Sequence, residues 1–168
     1  MARTYLGLGA NLGDRMRTLR SVVAMLTRYG TLTGVSSLYE TEPVGYQDQP
    51  AFSNAVVALD TDQAPASLLA AALTIEQALG CIRSFPNAPR TCDIDILLYD
   101  DLVRDSPPPI IPHPRLHERA FVLVPLAELA PTLRHPRLGA SIAELLTRLG
   151  DTSQAVRRIA GPDWVGRG

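Results

Sequence analysis

Asp93-Ile94-Asp95-Ile96-Leu97-Leu98-Tyr99 reads as a strand that follows a loop at residues 81–92. Successive side chains of a strand point to opposite faces. Asp93 and Asp95 therefore share one face, roughly 7 Å apart. Ile94, Ile96 and Leu98 are expected on the other face, in a core beneath helices. Upstream, Thr4 to Leu8 reads as a first strand, and Asn11-Leu12-Gly13-Asp14 is a turn able to cap a helix. Met16, Leu19, Val22, Val23 and Leu26 recur at helical spacing until Gly30. Thr31 to Tyr39 reads as a second strand, Thr41 to Pro50 as a polar loop and Phe52 to Leu59 as a third strand. Pro65 opens a helix to Leu79, with Gly80 at its C-terminal end. With the strand at 93–99 as the fourth, the order is β-α-β-β-α-β. That predicts an α+β, ferredoxin-like core, an antiparallel sheet with helices on one face.

Pro107, Pro108, Pro109, Pro112 and Pro114 forbid regular structure downstream. Two further helices are expected near Glu118 to Leu129 and Ser141 to Leu149. The chain is read as one domain over 1–168, with about 150–168 a loosely attached tail.

Hydrophobic residues are 46% and charged residues 20%, a globular composition. The net charge of -1 argues against a dedicated nucleic-acid binder. All 16 basic residues are arginine, which excludes a Schiff-base or phosphate-loop lysine. Cys81 and Cys92 fit neither a disulfide framework nor a metal-site spacing, so both are expected as reduced thiols. Arg3, Asp14, Arg15, Arg17 and Arg20 break any signal-peptide apolar stretch, and no apolar run approaches membrane length. The expectation is a cytoplasmic protein with no membrane partner.

Two carboxylates on one strand face repel each other unless a cation lies between them. Mg²⁺ takes oxygen ligands, commonly one or two carboxylates together with substrate phosphates. A lone Asp-x-Asp is more often a solvated acidic face, but here the arginines shift the balance. None lies between Arg28 and Arg83; Arg83, Arg90, Arg104, Arg115 and Arg119 then follow within a short span. Guanidinium forks match phosphate oxygens, which makes a triphosphate site beside the Asp pair. The alternative for each is a solvent-facing pair with Asp100, Asp101 or Asp105. Glu76 shares the apolar side of its helix and needs a partner there: Arg83, a sugar hydroxyl or a metal-bound water. His113, between Pro112 and Pro114, can donate to phosphate, although an isolated histidine is more often a surface residue. Phe52 and Phe121 can sandwich a flat heterocycle whose edge Asn54 and Thr41 read, although two such phenylalanines are more often core. No histidine pair has zinc-ligand spacing.

The stretches YLGLGANLGDR (5–15), SSLYETEPVGYQDQPAFSNAVVAL (36–59), APRTCDIDILLY (88–99) and IPHPRLHERAFVLVPLAELAP (111–131) together resemble the 6-hydroxymethyl-7,8-dihydropterin pyrophosphokinase family. The resemblance extends to about Pro131 and fades in the tail. It implies a ferredoxin-like core and transfer of pyrophosphate from ATP to the pterin hydroxymethyl group, with release of AMP, in folate biosynthesis. It implies two Mg²⁺ ions shared by Asp93 and Asp95, and Arg83 and Arg90 neutralising the triphosphate. It places Glu76, His113, Arg119 and the backbone at Ile96 around ATP, and Thr41, the backbone near Val44, Phe52, Asn54 and Phe121 around the pterin. A monomer acting on small molecules is expected. The chain departs from the family pattern at Cys81, where many members have arginine, at Asn87, where many have tryptophan, and at Pro114, where tyrosine is frequent. The first departure predicts a slower chemical step or compensation by another arginine such as Arg104. The second leaves Phe85 as the aromatic of that loop.

Three other readings compete. An RNA-binding module of this topology would carry exposed aromatics on its central strands. A small-molecule sensor would leave Asp93 and Asp95 unexplained. A nucleotide-sugar transferase using Asp-x-Asp would normally need a longer chain.

Overall fold

Leu6, Leu8 and Ala10 alternate with Gly7 and Gly9, and that period of two puts the larger side chains of residues 6–10 on one face of a strand. This strand, β1 (Ala2–Ala10), is central to a six-stranded sheet. The computed structural model describes residues 1–11, 14–41, 52–81, 92–151 and 156–166. In chain order the other elements are α1 (Arg15–Leu26), β2 (Thr31–Val35), β3 (Leu38–Thr41), β4 (Phe52–Thr61), α2 (Pro65–Ala78), β5 (Cys92–Tyr99), α3 (Ala120–Leu129), α4 (Ile142–Leu149) and β6 (Val156–Ala160). The sheet runs β5-β1-β4-β3-β6, with β2 also paired to β4, and every pairing is antiparallel. The βαββαβ core is the arrangement expected from the sequence.

Helices cover both faces. Leu6, Leu8 and Ala10 of β1, Ala55, Val57 and Leu59 of β4, and Ile94 and Ile96 of β5 form one core with the buried sides of α1 and α2. Tyr5, Val56, Ala58, Leu97 and Leu98 form a second core with α3 and α4 on the opposite face. Leu98 was expected beside Ile94 and Ile96, and here the structure corrects the sequence. The β1–β5 register shifts between Tyr5 and Leu6, and an inserted residue turns everything beyond it to the other face.

The single strand expected over Thr31–Tyr39 is two strands, broken at Ser36 and Ser37. Ser36 Oγ accepts from Val56 N–H at 2.9 Å, substituting for a ladder bond. Ser37 N–H and Oγ–H donate to the Glu128 carboxylate at the far end of α3, and Tyr39 Oη–H does the same at 2.8 Å. Burial, reinforced by Glu128, pushes the Tyr39 phenol up to about 12. These bonds fasten α3 across β3.

The helix ends follow local chemistry. Asp14 accepts from Arg17 N–H at 3.1 Å and Ser141 from Glu144 N–H at 3.1 Å, each satisfying an orphan donor of a first turn. Gly80 has φ +70, the left-handed conformation that glycine adopts without penalty after a helix.

Two further expectations are overturned. Cys81 and Cys92, expected as thiols, are joined as a disulfide with Cα atoms 5.1 Å apart. Sequence spacing could not reveal this, because the pairing depends on α2 ending beside the start of β5. The loose tail is also wrong for residues 156–166. Val156–Ala160 extends the sheet as β6 beyond β3, and Trp164 is 3% exposed, packed in the α1–α2 core. Trp164 Nε1–H donates to Ser36 O at 2.8 Å, so its polar edge is satisfied. The arginine-rich edge strand has exposed side chains at 157–159 and lacks a strand's alternation. Among the described residues, no helix is long and apolar enough to cross a membrane.

Trp164→Ala is expected to cost about 3–5 kcal/mol, as for a large aromatic removed from a core. Denaturant melts of the full chain measure this; a loss below about 1 kcal/mol would mean the C-terminal segment is peripheral to the fold.

Candidate active site

Gly9 of β1 is paired with Asn54 of β4 on one side and Asp93 of β5 on the other. Gly7 likewise faces Asp95. Residues directly opposite one another in a sheet share a face, so Asn54, Gly9 and Asp93 form a row across three strands. A Cβ on Gly9 would lie 2.8 Å from Asp93 Oδ1 and 3.1 Å from Asn54 Oδ1. Both oxygens therefore border the space above the glycine. Gly9 thus leaves no β1 side chain between Asn54 and Asp93, whereas a Cβ on Gly7 would meet the Leu97 side chain at 3.4 Å. Farther along, the same face is occupied by Tyr5, Val56, Ala58 and Leu97 beneath α3 and α4.

On the β3–β4 side, Thr41 is paired with Phe52 and Tyr39 with Asn54. Thr41 Oγ1 accepts from Asn54 Nδ2 at 2.8 Å, and both residues are buried. This bond fixes the Asn54 amide with its oxygen toward Gly9. Phe52 is half-buried at the mouth of the same group. Phe121 begins α3, half-buried, with the Arg119 guanidinium 5.5 Å from its ring centroid, a cation–π arrangement.

On the β5 side, Asp93 and Asp95 are half-buried. Glu76, 5% exposed on α2, accepts the Ile94 N–H at 3.0 Å through Oε2. Burying a carboxylate demands such partners. Ile94 lies on an edge strand, so Glu76 supplies an acceptor where no neighbouring strand does. Ile96 is buried in the α1–α2 core and is paired with Leu6. His113 is brought beside β5 by its N–H, which donates to Leu97 O at 2.9 Å. Its Nδ1 accepts from Arg115 N–H at 3.2 Å. Burial pushes the His113 imidazole below its ordinary 6.5; Asp95 opposes this, while Arg119 and Arg115 add to it. The ring is thus neutral at pH 7, with Nδ1 as acceptor and the proton on Nε2.

Of the residues singled out from the sequence, Thr41, Phe52, Asn54, Asp93 and Asp95 lie on one sheet face. Glu76 and Ile96 reach β5 from its other side or belong to it, and His113, Arg119 and Phe121 lie on the segment that crosses to α3. Arg83, Arg90 and Val44, with Phe85 and Asn87, fall outside the described residues. Arg104, considered as a substitute cation, donates through Nε to Pro107 O at 2.8 Å. Sequence reasoning missed Gly7 and Gly9 as site residues. Their signal was present: small residues at every second position of an otherwise apolar strand mark a close approach.

Among the described residues no third histidine, cysteine, aspartate or glutamate joins Asp93 and Asp95 in a potential metal set. Two hard oxygen donors suit Mg²⁺, which keeps its other positions for phosphate and water, and do not suit zinc.

Gly9→Ala should displace the Asp93 carboxylate and the Asn54 amide oxygen, with catalytic loss and little loss of secondary structure. Steady-state kinetics beside circular dichroism tests this, and full activity would show the space to be unused. His113 should titrate below 6.5 by NMR. The sign follows from its depressed folded value: its contribution to stability is present above about pH 6.5 and is lost as pH falls toward the folded value. A midpoint above 6.5 would mean that Asp95 outweighs burial.

The sequence model of a family described as 7,8-dihydro-6-hydroxymethylpterin-pyrophosphokinase matches residues 5–131. A Bacillus subtilis protein named 2-amino-4-hydroxy-6-hydroxymethyldihydropteridine pyrophosphokinase is 47% identical over 127 residues, covering 74% of this chain and 76% of its own length. A Schizosaccharomyces pombe folic acid synthesis protein is 42% identical over 95% of this chain, which spans only 22% of that protein. A crystal structure of a Plasmodium falciparum HPPK-DHPS variant with pteroate superposes with a TM-score of 0.78 at 16% identity, covering 94% of this chain and 46% of that one. The last likeness is one of fold.

Proposed function

The chain belongs to the 7,8-dihydro-6-hydroxymethylpterin-pyrophosphokinase family, and from that premise we propose that it transfers pyrophosphate from ATP to the hydroxymethyl group of 6-hydroxymethyl-7,8-dihydropterin, releasing AMP. The observation that carries this reading is the Asn54–Gly9–Asp93 row. It sets a group able to read a heterocycle edge and a metal-binding carboxylate on either side of a bare strand. A ring held at Asn54 is one strand away from the acidic strand, with no β1 side chain between them.

In this reading Thr41 and Asn54 bind the pterin edge, and Phe52 and Phe121 hold its faces. The backbone near Val44 completes that side. Arg83, Arg90 and Arg119 neutralise the triphosphate, and neutral His113 donates to it through Nε2. Glu76 and the Ile96 backbone line the nucleotide side. Asp93 and Asp95 hold Mg²⁺, two ions in the fuller version, whose chemistry would be to neutralise phosphate charge and lower the pKa of an oxygen beside it. The hydroxymethyl oxygen attacks the β-phosphorus in line, its bond to AMP breaks, and the hydroxyl proton passes to solvent. No side chain is required as general base, because alignment and charge neutralisation supply the rate. The chain acts as a cytoplasmic monomer on these two small molecules, without nucleic-acid or membrane partners.

Purified protein with ATP, Mg²⁺ and the dihydropterin should yield AMP only when all three are present. Asp95→Ala should lower the rate by roughly a thousandfold, the effect of losing several kcal/mol of charge stabilisation, and keep the fold. ADP as product would indicate a simple kinase, and full activity in the variant would remove Asp95 from the metal site.

A further inference from the structure

The disulfide joins the end of α2 to the first residue of β5, and Cys92 immediately precedes Asp93. A second tie runs between the same elements. Glu76 Oε2 accepts from Ile94 N–H at 3.0 Å, and Glu76 O accepts from Cys81 N–H at 2.8 Å. One covalent and one hydrogen-bonded link thus hold the residues on both sides of Asp93 to a single helix end. Among the described residues β5 is an edge strand, with a ladder on its β1 side only. On the site face β1 presents Gly9 beside Asp93.

We propose that Cys81 and Cys92 form a reversible thiol–disulfide site whose oxidation state positions Asp93 and Asp95. The proposal rests on the metal-holding role given to that pair above. Oxidation uses a small-molecule disulfide of the glutathione class. One cysteine thiolate attacks it, forming a mixed disulfide and expelling one small thiol. The second cysteine thiolate attacks the protein-bound sulfur, closes the Cys81–Cys92 bond and expels the other small thiol. Two electrons pass from the cysteine pair to the reagent, and the two cysteine protons end on the two released thiols. A dithiol reverses the sequence. Both cysteines are 1% exposed, so exchange waits on local opening. Each state therefore persists through many turnovers. Reduction removes the covalent tie and leaves β5 held by the Glu76–Ile94 bond, the β1 ladder and the packing of Ile94 and Ile96. Oxidation restores the covalent hold on the residue that precedes Asp93, whose carboxylate borders Gly9.

The test compares three preparations of the full chain: oxidised with glutathione disulfide, reduced with dithiothreitol, and reoxidised. Denaturing maleimide labelling counts thiols in each. AMP formation is titrated with Mg²⁺ at saturating ATP and dihydropterin. Hydrogen exchange is followed at the Ile94 and Asp95 amides without substrates. Reduction should raise the Mg²⁺ concentration for half-maximal rate several-fold and speed exchange at both amides, and reoxidation should reverse both. The Cys81→Ser/Cys92→Ser double variant should match the reduced chain in every condition. Two free thiols surviving the oxidant, or equal exchange and equal Mg²⁺ dependence in both states, overturns the proposal. Exchange that responds to oxidation while no AMP forms under any condition supports the positioning and instead defeats the pyrophosphokinase reading.

Discussion

The pairing of β1 with both β4 and β5 is the constraint on which the molecule turns. A register is a commitment of faces: slipping a strand by one residue sends each of its side chains to the other side. With Gly9 between Asn54 and Asp93, and Leu8 between Ala55 and Ile94, the apolar residues of three strands fall together against α1 and α2. The same commitment puts Asn54, Asp93 and Asp95 together on the opposite side. Burial of the leucines and isoleucines is thus what aligns the polar groups. The site costs no separate folding effort because it is the reverse of the core.

The reverse face cannot stay bare along its whole length, since strands with two apolar faces need two covers. The register shift at Tyr5 and Leu6 marks the changeover. Beyond it, Leu97 and Leu98 both join the core under α3 and α4; before it, Asp93 and Asp95 remain half-buried. Glu128 then fastens the cover in place by accepting from Ser37 and Tyr39 of the β2–β3 break. The raised Tyr39 phenol is a sign of how dry that junction is. Because Phe121 and Glu128 lie on one helix, the bond that anchors α3 at its C-terminal end also sets where its first turn, with Phe121 and Arg119, meets the site.

Electrostatics follow from this packing. His113, drawn to β5 by a main-chain bond to Leu97, loses more from burial than it gains from Asp95, and so stands as a neutral donor next to an acidic strand. Glu76 is held inside the protein by main-chain donation from Ile94.

The sequence by itself determined the order of elements, the shared face of Asp93 and Asp95, the helix ends at Asp14, Ser141 and Gly80, and the motifs that carry the family. Each of these depends on neighbours within a few residues, where period, capping and backbone preference act. The tertiary structure decided everything that needs two distant segments to meet. It paired Cys81 with Cys92, turned Leu98 to the second core through a shifted register, split Thr31–Tyr39 at two serines that Val56 and Glu128 engage, and brought the C-terminal strand and Trp164 into the fold. The glycines of β1 stand between the two. Their spacing is plain in the sequence, but only the neighbouring strands show that Gly9 lies between Asn54 and Asp93 and that Gly7 lies against Leu97.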